Sequence, residues 1–267
     1  MWSIGDMKER GWTWVRHMYG PAYAACLICF ILENLGNGEM NPFLPLSTGH
    51  HWLEHHPSMG FFQELFLLFG VSALIVSLGL VGLAVKYFVV NPLEVGLCRY
   101  FLKSREAGPS AGVGTVCSVF TGGGYWNMVK VLFLRDLYTF LWTLLLVIPG
   151  ICKSYEYRMI PYLLAEYPQM GSREIFARTR ALMAGNRLQG FLLDLSFIGW
   201  NILAVCAGNL LVKALAFAFI MGAAAFCFAA WLKGAVILLV SPYIHAAWTE
   251  LYLYLNHYPE VINRDGF

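Results

Sequence analysis

Long stretches of this chain are apolar and carry no Asp, Glu, Lys or Arg: residues 17–32, 65–85, 137–152, 195–212, 214–232 and 234–249. A helix crossing the hydrocarbon core of a bilayer needs ~20 predominantly apolar residues, and somewhat fewer when its ends snorkel. Several of the stretches meet that length. The chain therefore reads as all-α: a polytopic transmembrane helix bundle forming one integral membrane domain over residues 1–267. Only 13% of the residues are charged, against about a quarter in an ordinary soluble domain. No polar stretch is long enough to build a core of its own.

Residues 1–16 form an amphipathic lead-in with Lys8, Arg10 and Arg16. No small-x-small cleavage site follows the first apolar run, so that run is expected to stay in the mature protein. The first span is expected from about Met18 to Leu35, then a loop over 36–60 without Lys or Arg. The second span runs from Phe61 to about Val90 and continues as helix through "NPLEVGLCRYFLKSRE", with Pro92 tolerated at a turn. Residues 104–124 are loop-like, and helix resumes near Tyr125 as a third span that ends at "IPG", residues 148–150. The Pro-Gly pair is expected to reverse the chain there. A return helix, "ICKSYEYRMIPYLLAEYP", follows and would cover ~24 Å. Residues 172–187 read as an amphipathic helix with Ser172 as N-cap and Gly185 at the C-terminal cap. Its Ile175, Phe176, Leu182 and Met183 share one face, with Arg173, Arg178 and Arg180 off it, a pattern expected to lie on a membrane interface. Residues 188–254 carry only Asp194, Lys213, Lys233 and Glu250 as charges.

The Lys and Arg residues set an orientation. They cluster in the N-terminal lead, at 99–105 and at 173–187. An even number of crossings between these regions puts all three, and both termini, on the cytoplasmic side. The net charge of +2 gives no case for a nucleic-acid partner. The expected partners are membrane lipids, with further copies of the chain left open. Cys26-x-x-Cys29 lies inside an expected span and reads as small buried hydrophobes, not as a redox pair.

Two sets of residues are candidates for chemistry. "HHWLEHH", residues 50–56, contains His51-x-x-Glu54-His55, which on a helix would put two imidazoles on one face for a zinc ion. Here it sits in a polar outer loop, and Pro57 follows at once. It reads first as plain loop, with His51 and His55 kept as candidate metal ligands and no cofactor assigned. The second set is the charges expected at membrane depth: Arg135, Asp136, Lys153, Glu156, Arg158, Asp194 and Glu250. Such charges are costly and are usually paired or functional. Lys153 and Glu156, at i and i+3, can pair directly. "TGGGYW" lacks the Lys-Ser/Thr of a phosphate loop and no G-x-S-x-G is present, so no catalytic residue is assigned.

"NPLEVGLCRYFL", "FLRDLYTFLWTLLLVIPGICKSYEYRMIPYLLAEYP", "SREIFARTRALMAGN", "FLLDLSFIGW" and "SPYIHAAWTELY" occur in that order. Together they resemble the bacterial integral membrane family catalogued as domain of unknown function 975. The "IPG" hairpin and the helix after it are similar, more loosely, to the membrane domain attached to some glycerophosphodiester phosphodiesterases. The resemblance implies a bacterial cytoplasmic membrane and about six spans, and supplies no reaction. This chain departs from the family between "FIGW" (197–200) and "SPY" (241–243), where an apolar insert makes either a seventh span over 209–231 or a longer hairpin turning near Met221-Gly222. The expected function is non-enzymatic: lipid or small-solute handling, or a subunit of a membrane assembly. A transporter or channel with a broken helix at 148–150, and a metal-dependent or lipid-modifying enzyme, are the alternatives.

Overall fold

The computed structural model describes residues 2–37, 61–107, 112–218, 234–236 and 238–264. The described residues are almost all helical and none is in a strand. In chain order the longer helices are α1 (Ile4–Val15), α2 (Tyr19–Asn37), α3 (Phe61–Val85), α4 (Asn91–Ala107), α5 (Tyr125–Leu145), α6 (Val147–Glu156), α7 (Ile160–Glu166), α8 (Ser172–Met183), α9 (Arg187–Ala218) and α10 (Ser241–Arg264), and the stretch expected to be loop-like holds short helical turns at Val113–Cys117 and Ser118–Thr121. The loop carrying His51 and His55 and the expected turn at Met221-Gly222 lie outside the described residues.

The helix expected to run on past Val90 does so. α3 passes into α4 through a single π turn, Lys86–Val90, in which the Asn91 N–H donates to the Lys86 carbonyl. Pro92 has no N–H to return to the preceding turn. The Phe88 carbonyl it would have served accepts instead from the Tyr125 hydroxyl at 2.5 Å. Sequence order thus ties the α3–α4 junction to the start of α5.

Several of the most apolar segments stay out of the core. The core is built from α1, the first half of α2, α4, the first half of α5, α7, α8, the start of α9 and the middle of α10. Trp248, Tyr252, Phe197 and Met7 are the largest fully buried members of the main cluster. α7 is buried on every side, as a short helix with no polar face must be. The charge-free stretches of α3, the hairpin tip and the second half of α9 face outward instead, with Phe69 69%, Leu144 76%, Ile148 77% and Leu210 71% exposed. Apolar exposure in contiguous bands is what a water-soluble surface avoids. Among the described residues, three helices are long and apolar enough to cross a bilayer: Gly79–Glu106, Arg187–Leu210 and Gly234–Asn256. The expected third span, α5, is not among them, because its first half carries Lys130, Arg135 and Asp136 into the core region.

The hairpin after α5 differs from expectation in two ways. The reversal is at Leu146, whose backbone is extended (φ −161°, ψ 139°), not at Pro149-Gly150. Pro149 lies in the first turn of α6, where an N–H would have no helical partner anyway. The return helix also breaks, at Tyr157–Met159, so α6 is 10 residues long, or ~15 Å, half of a ~30 Å hydrocarbon core. Beyond Arg135 the outgoing arm of α5 has the same length. The pair forms a tight helical hairpin with arms of about equal length. Its arms touch: a Cβ on Gly150 would lie 2.3 Å from Thr143 Oγ1 and 2.7 Å from Thr143 Cα. Rotating Thr143 relieves the first contact and not the second, so Gly150→Ala must spread the arms. It should cost about 1–3 kcal/mol, the usual cost of overpacking, read as a lower thermal midpoint in detergent; an unchanged midpoint would show that the arms are not in contact.

The amphipathic helix also turned out differently. α8 is capped by Gly171, with Ser172 already in its first turn, and Gly185 takes the expected left-handed conformation just past its end (φ +77°). Its apolar face, Ile175, Phe176 and Met183, is buried in the protein core and not presented to an interface. Periodicity shows that a helix has an apolar face; which surface covers that face is a tertiary matter. Cys26 is buried and Cys29 half-buried, both as free thiols.

Candidate functional site

The expected intramembrane charges fall into four groups around the core. Arg135 lies between two carboxylates, with Nη1 3.1 Å from Glu94 and Nε 2.9 Å from Asp136. Asn91 donates to the other Asp136 oxygen at 3.1 Å. This group staples α4 to α5. Glu250, on α10 and nearly buried, is paired with Arg105 of α4. Asp194 accepts from Trp248 Nε1 at 2.7 Å and from the Tyr155 hydroxyl at 3.0 Å, with Arg158 at 3.7 Å. The Arg158 guanidinium also stacks 4.9 Å over the Trp248 ring. Burial, and then the Asp194 carboxylate, push the Tyr155 phenol up to about 12.

Glu156 is the most constrained of the set. It is 1% exposed, and three cations converge on its carboxylate. Lys153 Nζ is 2.9 Å away, Arg187 Nη2 is 2.9 Å away and Arg180 Nε is 3.5 Å away. The pairing with Lys153 is the one the i, i+3 spacing predicts. The other two partners come from α8 and the first residue of α9, and neither Arg158 nor Arg135 takes part. The sequence places Glu156 only as a charge on the return helix. It lies where the hairpin, α8 and α9 meet, because α6 ends there. Its backbone carbonyl accepts from the Thr179 hydroxyl at 3.2 Å, a second tie to α8.

Two of the three cations, Lys153 and Arg180, also line a cleft of about 590 Å³. Arg173 lines it as well, together with Tyr138, Trp142 and Phe176. The lining holds no carboxylate. Lys153 sits 5.5 Å over the Trp142 ring and 5.8 Å over that of Tyr157. The first turn of α8, at Ser172 and Arg173, forms one edge, and no side chain caps that helix start. A helix N-terminus contributes partial positive charge. The cleft is therefore cationic and aromatic and can accept an anion.

Sequence reasoning missed Arg180 and Arg187 as partners of Glu156, and Arg173 as a lining residue of the cleft. One signal was present. Arg173, Phe176, Ala177 and Arg180 stand at i, i+3, i+4 and i+7 and so share a second face of α8, distinct from the one carrying Arg178. Arg178 reaches elsewhere, to Asn256 at 2.9 Å and over the Tyr167 ring at 5.0 Å. Among the described residues, no group of three or more His, Cys, Asp or Glu is placed to hold a metal ion. His51 and His55 lie outside them.

Residues 127–258 match the model of a family described as Protein of unknown function (DUF975). The match covers just under half of the chain. The matched region takes in both arms of the hairpin, α8, the Glu156 junction and the Asp194 group, so the cleft lies within the matched residues. α1 to α4, including Glu94 and Arg105, lie before the matched region. The looser resemblance to the membrane domain of glycerophosphodiester phosphodiesterases is not part of this match. No curated protein and no solved structure matches the chain.

Proposed function

We propose that this DUF975 protein is a non-catalytic, multi-pass protein of the bacterial cytoplasmic membrane that handles lipid at the cytoplasmic leaflet. In this reading the chain crosses the bilayer four times, through α2, α3, α9 and the segment leading into α10. The charged core lies on the cytoplasmic side, with both termini. The hairpin α5–α6 dips into the leaflet from that side and returns. Replacing two expected crossings by none keeps the parity, so the basic regions at 8–16, 99–105 and 173–187 still share the side that favours Lys and Arg.

The observation that carries the reading is the hairpin tip. Leu144, Leu145, Leu146, Val147 and Ile148 are 63–77% exposed on arms too short to span the bilayer. Cations Lys153, Arg173 and Arg180 stand at its base. An apolar tip with a basic collar matches a leaflet: hydrocarbon outside the tip, anionic headgroups at the collar. The test uses single cysteines in a cysteine-free background, labelled with a membrane-impermeant maleimide in intact and in opened cells. Ser47→Cys should label from outside, Ser172→Cys only after opening, and Ile148→Cys in neither state. Labelling of Ile148→Cys from outside would mean that the hairpin crosses, and the reading would fail.

A further inference from the structure

We propose that the cleft between α5, α6 and α8 binds a phosphate monoester dianion carried as the headgroup of a membrane lipid. The inference deepens the leaflet reading of the hairpin and rests on it for the position of the lipid tail.

The charge balance supports a dianion. Lys153, Arg173 and Arg180 line the cleft, and Arg187 stands behind it on the same carboxylate. Glu156 neutralises one of these four positive charges, which leaves a surplus of three. A phosphodiester headgroup offers one negative charge. A monoester, with its second pKa about 6, offers close to two at neutral pH, and three acceptor oxygens. Guanidinium groups bind such oxygens in pairs, and the start of α8 adds N–H donors and partial positive charge at Ser172 and Arg173. Glu156, almost fully buried, fixes Lys153 and Arg180 from behind, so they need little ordering when a ligand arrives.

The apolar wall supports a lipid over free phosphate. Leu134, Tyr138 and Trp142 line the cleft along one stripe of α5. The stripe continues through Leu141 and Leu145, exposed at 52% and 69%, to the hairpin tip. An acyl chain leaving the cleft would follow that stripe into the leaflet. The volume of about 590 Å³ lies within the ~300–1,000 Å³ usual for ligand sites.

The experiment titrates the purified full chain in detergent with phosphatidic acid, phosphatidylglycerol or phosphatidylcholine and reads bound lipid by native mass spectrometry. Phosphatidic acid should be retained roughly tenfold more tightly than phosphatidylglycerol, and both more tightly than phosphatidylcholine. Arg173→Glu should remove the preference. Arg173 has no ion-pair partner among the described residues, so its reversal leaves the Glu156 junction intact. Arg10→Gln, exposed on α1, should leave it unchanged. Equal retention of the first two lipids overturns the dianion, and equal retention of all three overturns the site. Displacement of phosphatidic acid by an equal concentration of inorganic phosphate overturns the lipid as source. Ile148→Cys labelling is scored separately: labelling from outside sinks the leaflet position of the hairpin and the tail path with it, while the headgroup preference is still decided by the titration.

Discussion

Glu156→Gln lowers the thermal stability of the detergent-solubilised protein by about 3 kcal/mol, the low end of what breaking a buried ion pair costs. That corresponds to a fall in midpoint of about 6–12 °C for a chain of this size. The carboxylate is buried, so its own desolvation is relieved by the change, which pulls the cost down. Three cations lose their common partner, which pushes it up. Lys153, Arg180 and Arg187 are 26%, 55% and 44% exposed, so water can take over part of their solvation, and the low end is the expected outcome. Glu250→Gln should cost less, because its carboxylate serves the single half-exposed cation Arg105. Adding Lys153→Met to Glu156→Gln should recover part of the loss, since it removes the least exposed stranded cation. Equal midpoints for Glu156→Gln and Glu250→Gln, or no recovery in the double variant, would show that the three-cation junction does not hold the hairpin to α8 and α9.

Trp248→Ala is expected to be the most damaging single change, at about 3–5 kcal/mol for removing a buried indole. The ring is 2% exposed in the main core cluster. It packs on Gly190, where even a Cβ would approach it to 3.1 Å, so no neighbour can fill the space without moving α9. The same change removes the 2.7 Å hydrogen bond to Asp194 and the surface under Arg158. Trp248→Phe keeps most of the volume and the aromatic face and loses the N–H, so its cost should be near the ~1–3 kcal/mol of an unsatisfied partner. Asp194 still holds the Tyr155 hydroxyl in that variant. The measurement is the midpoint of each variant in the same detergent. If Phe proves as damaging as Ala, the hydrogen bond and not the packing fixes α9 against α10.

The two predictions draw on different parts of what the sequence displays. Lys153 and Glu156 are visible as a pair because a helix brings i and i+3 together whatever surrounds it. The helix start near Tyr125, the continuation of α3 into α4 and the left-handed Gly185 were legible for the same reason: each depends on a few neighbouring residues. So did the outward-facing bands, since a charge-free run has no soluble use at that length. Arg180 and Arg187 reach Glu156 from 24 and 31 residues further along, and no local rule connects them. The turn at Leu146 was misplaced onto Pro149-Gly150, because both positions allow a break and only the close fit of Gly150 on Thr143 decides between them. The sequence by itself determined an all-helical chain with bilayer-length apolar helices and a costly set of charges that had to be paired. Only the tertiary structure decided that the apolar face of α8 is covered by protein, that the return arm of the hairpin breaks after ten residues, and that its base meets α8 in a cationic cleft. Hydropathy and periodicity report what each segment must hide; which segment hides it is settled by packing between residues far apart in the chain.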